Sequence, residues 1–176
     1  MKSILLTIVI LASLAIGIPA AATDISQGVP GLKWGDPISN AKGYNLQHCG
    51  EPEEKGEPSF YTIISPEYFQ LIGISAKKHN AWVQPIFWTH KNRLMGVQFD
   101  LTSKDNAVST LLDNLGPPSR KISTNTRYGI YEWNIKGAVL VKGIDVGNGY
   151  MVQIYHIPSL KALNGIRKGL GKSAWE

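Results

Sequence analysis

Between Arg93 and Leu101 the chain alternates with a period of two: Met95, Val97, Phe99 and Leu101 fall on one side, Leu94, Gly96, Gln98 and Asp100 on the other. Successive side chains of a strand point to opposite faces, so this pattern predicts a β-strand with one face in a core. Three further runs, at roughly 127–135, 138–144 and 150–157, are rich in β-branched and aromatic residues, and Lys136-Gly137 and Gly147-Asn148-Gly149 link them. Such links fit hairpins, because a parallel crossover needs a dozen or more residues. The strands therefore belong to an antiparallel sheet.

Upstream, 60–64, 68–75 and 81–90 also read as strands, the last with Pro85 marking an edge or a bulge. Lys91-Asn92 is a two-residue turn into the strand at 93. Two amphipathic helices punctuate the strands. One starts at Ser103, carries Val108, Leu111, Leu112 and Leu115, and stops at Gly116-Pro117-Pro118. The other starts at Pro158-Ser159 and carries Leu160, Leu163, Ile166 and Leu170. Asp36-Pro37 reads as the cap and first residue of a short helix that Gly43 ends. The segment 47–58, with Glu51, Glu53, Glu54 and Glu57 among glycines and prolines, reads as a flexible acidic loop. The fold class expected is α+β: an antiparallel sheet of six to eight strands with two main helices packed on one face.

Residues 1–22 have a different character. Met1-Lys2 precedes an almost unbroken apolar run at 4–18, then Pro19 and Ala20-Ala21-Ala22. This is the layout of a secretory signal peptide cleaved after Ala22. The run is shorter than the ~20 residues of a spanning helix, which argues against a retained anchor. The expectation is one domain at 23–176, periplasmic or secreted, with no stable membrane insertion after cleavage. Loss of Lys2 takes the net charge from +5 to +4. A value that small does not define a nucleic-acid binder. Cys49 is the single cysteine, so no internal disulfide can form and the core must supply the stability. It is an idle thiol or half of an intermolecular bridge.

Four landmarks combine along the mature chain: Gly31-Leu32-Lys33-Trp34-Gly35, Asn92-Arg93-Leu94-Met95-Gly96-Val97-Gln98-Phe99, Leu115-Gly116-Pro117-Pro118 and Tyr131-Glu132-Trp133. Together they resemble a group of small exported bacterial proteins of mostly unassigned function. The resemblance implies a bacterial, periplasmic setting and brings no catalytic residues with it.

Chemical motifs are sparse. His48 beside Cys49 has the residue types of a thiol nucleophile and its base, but catalytic partners usually come from different segments. The acidic loop lacks the Asp and Asn offsets of a calcium loop. His79, His90 and His156 are scattered, with no pair at zinc spacing. No haem, dinucleotide, phosphate-loop or Gly-x-Ser-x-Gly signature occurs, so no catalytic residue, cofactor or metal is assigned. Trp88 and His90 share a strand face and run to a turn with Lys91 and Arg93. These four are the candidate partner contacts, against the plainer reading that Trp88 packs in the core. The functional expectation is an exported, non-enzymatic binding or interaction domain for a protein or cell-envelope component. The alternatives are a small envelope hydrolase or transferase built from scattered His and carboxylates, and an assembly protein that forms a homodimer through Cys49.

Overall fold

The structure of the protein is a computed structural model that describes residues 24–41, 44–50, 54–63, 69–75, 85–102, 104–123 and 129–175. The signal segment, Glu51, Glu53, Tyr68, the basic turn at 77–80 with His79, the strand start at 81–84, Ser103 and the strand start at 127–128 lie outside the described residues.

Among the described residues twelve strands and two α-helices follow one another: β1 (Gly28–Val29), β2 (Leu32–Lys33), β3 (Leu46–Cys49), β4 (Ser59–Ile63), β5 (Gln70–Leu71), β6 (Ile74–Ser75), β7 (Ile86–His90), β8 (Arg93–Leu101), α1 (Lys104–Leu115), β9 (Arg120–Ser123), β10 (Gly129–Ile135), β11 (Val139–Asp145), β12 (Tyr150–His156) and α2 (Ile157–Gly169). Eight strands form one sheet in the order β3-β4-β7-β8-β12-β11-β10-β9, antiparallel at every pairing. The expected α+β class with an antiparallel sheet is what the chain adopts.

The helices divide between the two faces of that sheet, although the expectation set both on one. Ala107 and Leu111 of α1 join the main core with Phe87, Val97, Phe99, Val141, Val152 and Ile154. Leu163 of α2 instead joins Trp88, Met95 and Tyr155. Ile154 and Tyr155 are neighbours on β12, so they point to opposite faces. Burying Leu111 or Leu163 stabilises by about 1.5–3 kcal/mol. In α1 the apolar stripe is also shifted: Leu112 is 41% exposed and Thr110 is buried in its place.

Met95 corrects the face assignment of the best strand. Trp88 pairs with Gly96 but Thr89 pairs with Leu94, so Met95 is an extra residue, a β-bulge. A bulge turns the alternation over. Leu94 thereby faces the main core with Val97, Phe99 and Leu101, while Met95 faces α2.

Three local expectations also change. The segment after Asp36 makes only one 3-10 turn, Ile38–Asn40. Its backbone pairs with the start of β8 instead: Leu94 N donates to Asp36 O (3.0 Å) and Ile38 N to Asn92 O (2.7 Å). The strand expected at 68–75 is a small separate hairpin, β5–β6, because Ile72 and Gly73 turn through positive φ. The acidic loop begins later than expected, since Gln47, His48 and Cys49 belong to the edge strand β3.

α2 covers only part of its face. Beyond it, Arg120, Glu132, Lys142, Gln153 and Gln98 stand in one cross-strand row. Gln153 donates to Gln98 Oε1 (3.1 Å), and Lys142 lies 3.8 Å from Glu132. Arg120 at the end of the row is exposed, whereas Gln153 is buried and finds its partners within the sheet face.

Candidate functional site

The β7–β8 hairpin closes in two residues. Lys91 and Asn92 both adopt positive φ (51° and 56°), the geometry of a tight type I′ turn. Strand alternation puts Trp88 and His90 on the α2 side. Facing the tip is the segment 54–58, which Arg167 ties down from the last turn of α2. Its Nη1 donates to Gly56 O (3.0 Å) and to the Glu57 carboxylate (2.6 Å), and its Nε donates to Ser173 O (2.7 Å). Lys172 adds a second donor to Glu57 at 2.9 Å. Lys172 and Arg167 together hold the Glu57 carboxyl below the usual carboxylate range. Between tip and loop lies an open cleft of about 510 Å³, lined by Glu54, Lys55, Gly56, His90, Lys91 and Ile166.

Next to this cleft is an aromatic slot. Register places Cys49, Phe60, Trp88, Gly96, Tyr155 and Leu140 in one row across six strands. Trp88 is 3% exposed and lies 4.9 Å from Tyr155, centroid to centroid. Trp175, from the segment after α2, stands edge to face on Trp88 at 4.7 Å and on Tyr155 at 6.3 Å. Asn164 of α2 holds the Trp175 backbone at both ends: Trp175 N donates to its Oδ1 (2.6 Å) and its Nδ2 donates to Trp175 O (3.1 Å).

The four candidate contacts therefore separate. His90 and Lys91 line the cleft. Trp88 is buried beneath Trp175, so the plainer core reading describes it. Arg93, the cross-strand partner of His90, is engaged elsewhere: its Nη1 donates to Gly35 O at 2.8 Å.

Cys49 is half-buried on the outermost strand, with its Sγ 3.5 Å from Gln47 O. His48 packs edge to face on Tyr61 at 5.0 Å. Neighbours on a strand point apart, so His48 and Cys49 lie on opposite faces and cannot act as nucleophile and base. His156 sits on the main-core face, stacked on Trp34 (6.0 Å, 7°) with its Nδ1 2.8 Å from Ser159 Oγ. Burial holds its pKa below the ordinary value. Among the described residues no group of three or more His, Cys, Asp or Glu is placed to hold a metal ion.

Sequence reading missed Arg167, Asn164 and Trp175 as members of this corner. Their signal was faint. A tryptophan follows a polar stretch at 171–174, and two cations at 167 and 172 answer one glutamate more than a hundred positions earlier.

Among the described residues further hollows lie elsewhere. One of about 800 Å³ borders the β1–β2 hairpin with Gln27, Lys33 and Asp36, and one of about 400 Å³ lies between Ile38, Leu46, Tyr61 and Asn92. No helix among the described residues is long and apolar enough to cross a membrane.

Neither a family model nor a curated protein matches the chain. Among solved structures it is similar to a crystal structure of a DUF4309 family protein (YjgB) from Bacillus subtilis subsp. subtilis str. 168, at 17% identity and a TM-score of 0.29. The similarity covers 42% of this chain and spans 57% of that one. A likeness this slight carries no argument.

Proposed function

We propose that the protein is an exported, non-enzymatic binding domain that engages a protein or cell-envelope component through the cleft between the β7–β8 tip and segment 54–58. One observation carries the reading: Lys55, His90, Lys91 and Glu54 converge with the apolar Ile166 around an open 510 Å³ hollow. Polar groups that fix orientation around an apolar patch are the make-up of a binding site. Both walls are held, one by a tight turn and the other by the buried Arg167, so little order is lost on binding. The leader-like segment at 1–22 supports export.

The test places a photo-crosslinking residue at Lys91 or, as a control, at exposed Asp113 on α1, in cells that express the full chain. The expected result is a discrete adduct from position 91 and none from 113, on a protein whose N-terminus is Thr23 by mass spectrometry. Equal labelling from both positions overturns the cleft, and a retained leader in the cytoplasm overturns export.

A second reading, a small hydrolase or transferase, draws on His90 and Glu54 lining the same cleft. It predicts turnover in a panel of ester, amide and glycoside substrates that is lost in both His90→Ala and Glu54→Gln. A third, the Cys49-linked dimer, draws on Cys49 lying at a sheet edge. It predicts a double-mass band in non-reducing electrophoresis that Cys49→Ser removes.

A further inference from the structure

We infer that the slot between α2 and the sheet is a peptide-docking site that the chain's own segment 172–175 occupies, and that it accepts an extended partner segment bearing an indole side chain. The inference rests on the partner-binding reading above and names the chemistry of the partner.

The occupant on the page shows what the slot recognises. Asn164 offers one acceptor and one donor to the N–H and C=O of a single residue. That two-point contact reads main chain, whatever the sequence. Beside it, Trp88 and Tyr155 present their rings to the edge of the Trp175 indole. Aromatic pairs favour this edge-to-face arrangement, so the second element read is one aromatic side chain. Trp88, Met95, Tyr155 and Leu163 form the floor of the slot and are buried with the segment in place.

The occupant itself is lightly attached. It is no strand of the sheet. Apart from Trp175 it is held through Ser173 O on Arg167, Lys172 N on Arg167 O (2.9 Å) and the Lys172 ammonium on Glu57. A segment that enters the slot with one side chain and is otherwise seated by a few hydrogen bonds is a competitor that a similar segment can replace. The same Arg167 and Glu57 fix the wall of the adjoining cleft, so slot and cleft form one continuous surface.

The test compares the full chain with a variant ending at Ser173, which keeps the Ser173 main-chain oxygen for Arg167. The probe is the acetylated hexapeptide Gly-Lys-Ser-Ala-Trp-Glu, the sequence of 171–176. Near-UV circular dichroism confirms that the shortened chain is folded, and calorimetry measures binding. The expected result is saturable binding to the shortened chain, at least tenfold weaker binding to the full chain, and at least tenfold loss when Asn164→Ala is added to the shortened chain. Replacing the probe's Trp with Ala also abolishes binding. No saturable binding to the folded shortened chain overturns the inference, as does equal binding to both chains. A full chain that dimerises by exchanging its 172–175 segments also overturns it, since the occupant is then a second copy. Lys55→Glu, with the crosslinking residue kept at position 91, serves as the separating control. It is expected to abolish cleft crosslinking and leave hexapeptide binding unchanged, so either reading can fail alone.

Discussion

Trp88 lies across Gly96, its cross-strand partner, and leaves no space for a side chain there. A Cβ at Gly96 would stand 2.7 Å from Ile154 O and 3.2 Å from Trp88 Cε3. The backbone oxygen cannot swing away as a side chain can. Gly96→Ala is therefore expected to destabilise the fold by about 1–3 kcal/mol and to weaken the near-UV signal of the tryptophan cluster. Urea unfolding followed by fluorescence checks this. An unchanged midpoint would show that β8 and β12 can part more easily than their pairing suggests.

Val97 tests the larger core. It is fully buried with Phe87, Phe99 and Ile154 on the α1 side. Val97→Asp places a carboxylate there without a partner, a cost of several kcal/mol that a domain of ordinary stability does not survive. Asp100, on the opposite face, accepts hydrogen bonds from Gln98 at the solvent side. Asp100→Asn is expected to shift stability by no more than about 1 kcal/mol. Circular dichroism of the purified variants separates the two, and a folded Val97→Asp protein would mean the face is misassigned.

What was legible in the sequence was whatever one local rule decides. Strand β8, the Lys91-Asn92 turn and the stop at Gly116 follow from alternation, turn chemistry and a left-handed glycine. Met95 shows the limit: alternation predicts its face, but the bulge exists only because β7 pairs through Thr89 and Trp88 at different offsets. The placement of α2 was hidden for the same reason, since Tyr155 and Ile154 are both apolar and neither names its partner helix. Half the cleft was legible in His90 and Lys91. The other half was not, because Arg167 reaches Gly56 across more than a hundred residues.

The clasp around Glu57 predicts an acid-sensitive contribution to stability. Lys172 first, and Arg167 with it, lowers the Glu57 pKa in the folded chain. The unfolded chain then binds more protons in the window between the two pKa values. The contribution is fully present above the ordinary carboxylate range, about pH 4, and is lost as pH falls through the folded value. Glu57→Gln is expected to lower stability at pH 7, and the gap to the wild type is expected to close as pH falls through the folded value, where the Glu57 carboxyl takes up a proton and loses its charge. Urea midpoints across this range check the sign. A gap that widens toward low pH would reverse it.

Arg167→Met addresses the same clasp from its buried side. Arg167 is 9% exposed and satisfies Gly56 O and Ser173 O as well as Glu57. Methionine keeps much of the volume but leaves those acceptors without their donor, a cost on the order of 1–3 kcal/mol. The loss is expected to appear with faster proteolysis near residues 54–58 and 171–175, since Arg167 bonds to both segments. Lower global stability with unchanged local cleavage would show that Arg167 supports packing and does not hold the segments.

Tyr150 and Gly143 offer a paired test on the main-core side. Tyr150 is fully buried, and its hydroxyl has no hydrogen-bond partner among the described residues. Burial pushes its pKa far above the ordinary tyrosine value. The ring lies over Gly143, with Oη 2.0 Å from the position a Cβ would take. Removing an unsatisfied hydroxyl restores little water and loses no bond, so Tyr150→Phe is expected to be neutral or stabilising by up to about 1 kcal/mol. Gly143→Ala must displace that ring from a filled core and is expected to cost about 1–3 kcal/mol. Combining them gives the decisive comparison. If the hydroxyl is the obstacle, Tyr150→Phe recovers part of the Gly143→Ala loss, and a double-mutant cycle reads a coupling above about 0.5 kcal/mol. Strict additivity would place the clash on the ring carbons Cζ and Cε1, which phenylalanine keeps.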